Sequence, residues 1–118
     1  EIGLNFSPHS GPFARGIHST IFAQCKEKVT GKQLTGALSD FYADCGLVWV
    51  GPNPPHLKDV VGSNCAFLSA NAENNTVAIC CVLDNLLKGA ASGAIQWANR
   101  LSGKPDDEGL KNAPPGWI

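Results

Sequence analysis

The sequence predicts a layered α+β domain. Three observations predict this class: short β-branched and aromatic segments with a period of two, a capping box followed by apolar residues at helical spacing, and an apolar hairpin followed by a second helical segment. At 118 residues the chain is long enough for one compact core and too short for two ordinary domains. We therefore expect one domain, or a piece of one.

The first half of the chain predicts two strands and a helix. Residues 1–7 alternate apolar and polar, as in a half-buried strand, and residues 17–25 are β-branched and aromatic with a period near two. Thr30 and Gln33 form a T-x-x-Q capping box that starts a helix, and Gly46 ends it. The apolar residues at helical spacing are Leu34, Leu38, Phe41 and Tyr42.

The second half predicts three strands and another helix. Residues 47–50 form a short strand, and residues 51–64 are a loop rich in turn residues. An antiparallel hairpin spans residues 66–83, and its second strand is apolar on both faces and therefore central. Asp84 can cap the last helix, and the Gly- and Pro-rich tail after it predicts no core element. Small and aliphatic residues recur along that helix at Leu87, Ala91, Ala94, Ile95, Ala98 and Leu101.

Composition excludes several classes of protein. The formal net charge is −1 with no basic stripe, which argues against nucleic acid as a partner, and no segment is apolar and long enough to span a membrane. The five cysteines lack zinc-site spacing and are expected to be reduced thiols, with Cys80 and Cys81 on opposite faces of one strand. The chain has no Met and starts at Glu1, so we expect a piece of a longer protein.

Three segments carry a family resemblance: FSPHSGPFARGIHSTI, VVGSN and VLDNLLKGAASGAIQWANRLSG. Together they resemble N-acetyl-gamma-glutamyl-phosphate reductases over residues 1–110. The resemblance implies a mixed, largely antiparallel sheet with helices on one face, as in the C-terminal domain of semialdehyde dehydrogenases. It divides the chain into residues 1–83, a substrate and dimerisation domain, and residues 84–118, a closing helix and tail that pack on a missing NADP-binding domain.

The resemblance also implies an activity. In the family, a thiolate attacks N-acetyl-glutamyl phosphate, phosphate leaves, and NADPH reduces the thioester to the semialdehyde, a step of arginine biosynthesis. This chain has no Gly-rich nucleotide motif, none of its cysteines lies in the family's nucleophile context, and the family's catalytic His segment would precede Glu1. No catalytic residue is assigned, and we expect inactivity without an N-terminal NADP-binding segment or chain. A cytoplasmic homo-oligomer is expected, or an organellar one in a eukaryote.

Four residues are candidates for binding the acyl-phosphate substrate. Arg15 offers a planar fork that can pair bidentately with a carboxylate or a phosphate. His9 lies in the same loop, and a solvated or structural role is its alternative. Ser63 and Asn64 could donate hydrogen bonds from the GSN loop, although a simple turn explains them as well, and Cys65-Ala66 departs from the aromatic residue that the family often has next.

Three residues at the start of the last helix are candidates for cofactor binding, namely Asn85, Lys88 and Gly89. Free amide groups and the positive end of the helix dipole favour anions there. Asn85 is the leading contact because related dehydrogenases carry an Asp-Asn segment near the nicotinamide, and Asp84 is expected to be a cap. Two alternatives stay open: a noncatalytic dimerisation or binding module, and a reductase for an aminoadipyl or carrier-linked acyl phosphate.

Overall fold

The structure is a computed structural model, and it describes residues 5–116. Its strands are β1 (Ile17–Gln24), β2 (Val48–Val50), β3 (Ala66–Glu73) and β4 (Thr76–Leu83), and its α-helices are α1 (Gly31–Phe41) and α2 (Ser92–Leu101). One 3-10 turn (Leu57–Asp59) and one π-helical segment (Leu87–Ala91) complete the elements. Within residues 5–116, every helix is too short or too polar to cross a membrane.

The four strands form one mixed sheet in the order β1-β4-β3-β2. Strand β4 pairs antiparallel with both β1 and β3, and the short β2 pairs parallel with β3. This confirms the predicted α+β class with a largely antiparallel sheet and a central β4. The predicted strand at residues 1–7 is not observed in its described part, residues 5–7, while residues 1–4 lie outside the described residues.

Helix α1 begins as the capping box predicts. The Thr30 hydroxyl accepts a hydrogen bond from the Gln33 amide at 3.2 Å, and Gln33 Oε1 accepts one from the Thr30 amide at 2.9 Å. The helix ends at Phe41, earlier than the predicted stop at Gly46, because the Cys45 amide bonds back to the Tyr42 carbonyl in a turn. α1 packs on β3 and β2, and within residues 5–116 neither helix packs as extensively on β1.

The last helical region is not the continuous α-helix that the sequence predicts. Its first turns are π-helical, with the Gly89 amide bonded to the Asp84 carbonyl and the Ala91 amide bonded to the Leu86 carbonyl, each five residues back. Regular α-helix starts only at Ser92. The predicted helical element is present, but its first turns have the larger diameter of a π-helix, because the first backbone hydrogen bond runs from the Gly89 amide back to the Asp84 carbonyl.

The tail contributes to the core, contrary to the prediction that it holds no core element. Leu110 is buried and packs with Leu47 and Cys65. Two amides fix it there: Asn64 Nδ2 donates to the Leu110 carbonyl at 3.0 Å, and Asn112 Nδ2 donates to the Gly62 carbonyl at 2.8 Å. Part of the segment 84–118 is thus bound to the preceding domain, and its packing on a further domain stays a prediction.

Candidate functional site

Three loops meet at one end of the sheet. Ile17 at the start of β1 and Ala66 at the start of β3 both lie opposite Leu83, the last residue of β4. Because both neighbours run antiparallel to β4, the segments that enter β1 and β3 lie beside the segment that leaves β4. These are the RGI, GSN and DNLLKGAA segments, so the topology brings all three motifs together.

A single carboxylate joins the three loops. Asp84 is fully buried, and its Oδ1 accepts hydrogen bonds from Arg15 Nη2 at 2.7 Å, from the Leu86 amide at 2.9 Å and from the Leu87 amide at 3.0 Å. Its Oδ2 accepts one from the Gly62 amide at 2.7 Å. Asp84 caps the last helical region, as predicted, and it also ties that region to both other loops. We call Asp84 with these four donors the Asp84 junction.

The Asp84 junction keeps its carboxylate ionised. Burial alone would raise the pKa of Asp84, but the Arg15 guanidinium and the amides of Gly62, Leu87 and Leu86 together hold that pKa below its ordinary value. A buried charge is tolerated only when it is paired and hydrogen-bonded, and here both conditions are met. The carboxylate is therefore a fixed negative charge against which Arg15 is oriented.

Arg15 is only partly used by the junction. About a third of its side chain is exposed, and Nη2 makes its bond to Asp84. Its Nε is buried and has no hydrogen-bond acceptor among residues 5–116. A buried N–H without an acceptor is costly, so the guanidinium is not fully satisfied by the described residues.

Asn85 and Gly16, which follow Asp84 and Arg15 in the sequence, form a second hydrogen bond between the same two segments. Asn85 Oδ1 accepts a hydrogen bond from the Gly16 amide at 2.7 Å, so two consecutive residues hold the pair Arg15-Gly16. Gly16 has a φ of +110°, and a Cβ there would lie 2.8 Å from Leu57 Cδ2. The bond orients the Asn85 amide with its oxygen toward Gly16, which leaves Nδ2 as the group that can donate to a ligand.

The Ser63 and Asn64 side chains are engaged within the chain. The Ser63 hydroxyl is fully buried, donates to the Val60 carbonyl at 2.7 Å and accepts from the Cys65 amide at 3.3 Å. Both N–H groups of Asn64 have acceptors, and its oxygen accepts from the Ser92 hydroxyl. Neither side chain has a free donor in this conformation, so direct substrate contact by them stays a prediction that requires these bonds to break.

The remaining candidates lie around the junction. His9 is exposed, with Nδ1 2.9 Å from the Ser7 carbonyl oxygen of its own loop. Lys88 Nζ donates a hydrogen bond to Gln96 Oε1 at 2.7 Å, and the Gly89 amide donates one to the Asp84 carbonyl. The structure thus brings Arg15 and Asn85 together, and it does not join His9 to them through any hydrogen bond among the described residues.

At the start of the last helical region, two amides are already bonded within the chain, and the anion site predicted there stays a prediction. The amides of Leu86 and Leu87, which would have been free to bind a phosphate, both donate to Asp84. The protein's own carboxylate therefore fills this position. The described residues do not form a nucleotide-binding site by themselves, and cofactor contact by Asn85 stays a prediction.

Two of the cysteines, Cys65 and Cys81, are in surroundings that disfavour the thiolate. All five are free thiols, and Cys80 and Cys81 point to opposite faces of β4, as predicted, opposite Thr20 and Ser19 of β1. Burial raises the pKa of Cys65, more than its contacts with Ser63 and Lys88 lower it, and burial also raises the pKa of Cys81. Both thiols are held in the protonated, unreactive form.

Comparison with known families agrees with this architecture. Residues 1–85 match the family described as semialdehyde dehydrogenase, dimerisation domain, and the chain belongs to that family. The match confirms the fold class that the resemblance predicts.

Individual relatives carry a more specific name. N-acetyl-gamma-glutamyl-phosphate reductases from Bradyrhizobium sp. (strain ORS 278) and Methylobacterium sp. (strain 4-46) are 44% and 40% identical over 114 residues, which is 95% of this chain. The enzyme of the same name from Laribacter hongkongensis is 38% identical over 117 residues, or 96% of the chain. The chain covers 35%, 34% and 33% of these relatives. It therefore spans about a third of the curated relatives that it matches, and the resemblance seen in the motifs is confirmed.

Proposed function

We propose that this chain is the substrate-binding and dimerisation part of an NADPH-dependent reductase that converts N-acetyl-glutamyl phosphate to N-acetylglutamate semialdehyde in arginine biosynthesis. The observation that carries the proposal is the partly exposed Arg15, held by a buried carboxylate where the three motif segments meet. The names of the relatives support the choice of reaction. A cytoplasmic location belongs to the same proposal, because NADPH and acyl phosphates are metabolites of the cell interior.

Arg15 is the proposed anchor for the substrate. N-acetyl-glutamyl phosphate carries a carboxylate and a phosphate, and a guanidinium can bind either group with two parallel hydrogen bonds. Asp84 accepts one N–H of Nη2, which leaves Nη1 without a partner among residues 5–116, whereas Nε is buried and is not offered to a ligand. The exposed third of the side chain gives a ligand access to this group. His9, on the same loop, is a second proposed contact.

The chain is proposed to be inactive alone. The reaction needs a thiolate to displace phosphate, and NADPH, when bound, supplies the hydride. Cys65 and Cys81 are buried thiols with raised pKa values, so neither supports that role. The chain's own residues would instead bind and orient the substrate, and an N-terminal NADP-binding segment or chain would bring the nucleophile, the base and the nucleotide site.

Asn85, Lys88 and Gly89 are proposed to face that NADP-binding partner. Asn85 Nδ2 is oriented to donate, and the helix that follows keeps much of its apolar surface exposed, with Ile95, Trp97 and Leu101 at 45%, 62% and 84% exposure. Exposed apolar residues on one element often mark a contact with another polypeptide. The length of the relatives, about three times that of this chain, supports an occupant from the same protein.

Strand β1 is proposed to form the subunit contact. It lies at the edge of the sheet away from α1, and three of its large apolar side chains, Ile17, Ile21 and Phe22, are 45%, 52% and 72% exposed. Exposed apolar side chains on both faces of an edge strand, here Ile17 and Ile21 on one face and Phe22 on the other, favour association. The family description names dimerisation, so a second copy is the partner that we propose for this surface.

Native mass spectrometry of the purified protein, followed by an NADP-linked assay, tests the proposal. The assay can run in reverse, with N-acetylglutamate semialdehyde, phosphate and NADP, so that NADPH formation is followed by absorbance. Turnover by a dimer that contains a nucleotide-binding segment would support the proposed reductase function. Turnover only with an aminoadipyl or carrier-linked substrate would instead support the alternative acyl-phosphate reductase. A chain that dimerises, ignores NADP and turns over none of these substrates would be a noncatalytic dimerisation module.

A further inference from the structure

The described residues contain one fully buried carboxylate, and it belongs to Asp84. A helix cap needs one oxygen and one or two amide donors, and the Leu86 and Leu87 amides meet that need. The bonds from Arg15 Nη2 and the Gly62 amide go beyond capping. They join segments that are 69 and 22 residues away in the chain, so capping alone does not explain this residue.

We propose that Asp84 is a positioning residue for substrate recognition, which holds the Arg15 guanidinium in the orientation that binds the substrate anion. The inference rests on the proposed function, because it assigns to Arg15 the substrate contact made there. Asp84 itself is buried behind Arg15 and does not touch the substrate.

The geometry of the Asp84 junction restricts how Arg15 can move. Asp84 Oδ1 is fixed by two backbone amides and Oδ2 by a third, so the carboxylate cannot turn with the arginine. The backbone beyond Arg15 is fixed as well, because Asn85 Oδ1 holds the Gly16 amide. A long side chain is thus restrained at its Nη2 end and at its base, which reduces the entropy lost when it binds an anion.

The arrangement also sets the charge that the substrate meets. Asp84 neutralises part of the Arg15 charge from the buried side, while the exposed third of the Arg15 side chain remains accessible to a ligand. Arg15 could not be replaced by lysine without loss, because an ammonium lacks the planar fork that joins a carboxylate on one edge to an anion on another.

A double-mutant cycle on the complete reductase tests the inference, with Asp84→Asn, Arg15→Ala and the double variant compared by kcat/KM for the acyl phosphate. Asparagine keeps the size of the side chain and one acceptor oxygen, and it removes the charge. We expect Asp84→Asn to lower kcat/KM about tenfold through a higher KM, a size typical of coupled residues in one ion pair. The KM for NADPH should stay within about twofold of the wild-type value.

Comparing the effect of Asp84→Asn in the wild-type protein with its effect in Arg15→Ala distinguishes a positioning role of Asp84 from a general structural role. If Asp84 acts through Arg15, Asp84→Asn should cause no further loss of kcat/KM in Arg15→Ala. Equal losses in both backgrounds would overturn the inference, and so would an Arg15→Ala variant with wild-type kcat/KM. Asp106→Asn is the matched control, because it breaks the exposed pair with Arg100 and should leave kcat/KM unchanged.

A chemical rescue keeps the inference testable if Asp84→Asn does not fold. Methylguanidinium added to Arg15→Ala should restore part of the lost activity by binding against the Asp84 carboxylate, and methylammonium at the same concentration should restore less. Absence of any rescue by methylguanidinium would contradict the inference. If the wild-type protein itself shows no turnover, the proposed function is wrong and this inference falls with it, an outcome distinct from failure of the cycle alone.

Discussion

At one end of the sheet four N–H groups converge on a carboxylate that has no exposed surface, whereas along β1 three large apolar side chains remain open to solvent. The polar region is therefore nearly complete within this chain, apart from the free edge of Arg15. The apolar region is incomplete, because its side chains gain nothing until another surface covers them. The contrast distinguishes a polar region that this chain satisfies by itself from an apolar one that only another surface would bury.

The largest expected effect comes from removing the buried carboxylate. Asp84→Ala should lower the free energy of unfolding of the complete protein by about 2–4 kcal/mol, because it leaves three amides and a partly buried arginine without their acceptor. Urea unfolding measures the change. Asp106→Ala removes a carboxylate that pairs with Arg100 at the surface and should cost little. Similar losses of unfolding free energy in the two variants would mean that the Asp84 junction contributes no more to stability than an exposed ion pair.

The apolar side of the comparison is tested on β1. Phe22→Asp should weaken dimerisation by about thirtyfold or more, since it places a charge where we propose a buried contact. Light scattering across a dilution series would show the shift to monomer. Phe41→Asp is the control, because Phe41 is similarly exposed, at 77%, but lies at the end of α1. Dissociation by the Phe41 variant alone would move the interface to the α1 side of the sheet.

A smaller effect is expected from the loop that carries Arg15. Gly16→Ala should destabilise the protein by about 1–3 kcal/mol, because φ is +110° and the new Cβ would lie 2.8 Å from Leu57 Cδ2. In α1, a Cβ at Gly36 meets nothing within 4 Å, so Gly36→Ala should stabilise the protein by about 0.5–1 kcal/mol. Thermal unfolding of the two variants measures both, and a neutral Gly16→Ala would show that the Arg15 loop adapts.

The smallest effect concerns pH. The pKa of Asp84 is lowered in the folded state, so in acid the unfolded chain takes up this proton first, and the stabilisation is lost as pH falls through the folded pKa. The stability difference between wild type and Asp84→Asn should be constant above about pH 5 and shrink below about pH 4. Unfolding midpoints across this range test the sign, and a difference that grows in acid would contradict it.

The parts of the fold that depend on neighbouring residues could be predicted from the sequence. The capping box at Thr30 and Gln33 and the β3–β4 hairpin both follow from local patterns, and both are present. The pairing of β1 with β4 joins residues about 60 positions apart, and no local pattern encodes it. The π-helical start of the last helix also escaped prediction, because its hydrogen bonds depend on the position of Asp84.

The candidate site was predictable only in part, for a related reason. The motif segments identified Arg15 and Asn85, which the structure brings together. The role of Asp84 was missed beyond its capping function, because the partners that distinguish it lie in two other loops. Asn64 shows the converse case: its place in a loop motif predicts a ligand contact, and in the structure its side-chain amide bonds the tail and the start of α2, so the ligand contact stays a prediction.

The π-helical segment Leu87–Ala91 has a consequence for how this chain can vary in length. A π-helical turn accommodates an additional residue compared with an α-helical turn and confines the disturbance to itself. A sequence with one residue fewer here could return to ordinary α-helix and still present the same face of α2, with Trp97 and Leu101 pointing as they do now. Deletion of one residue within this short stretch should therefore disturb the packing of α2 little, whereas one within β4 would shift the register of two strand pairs at once.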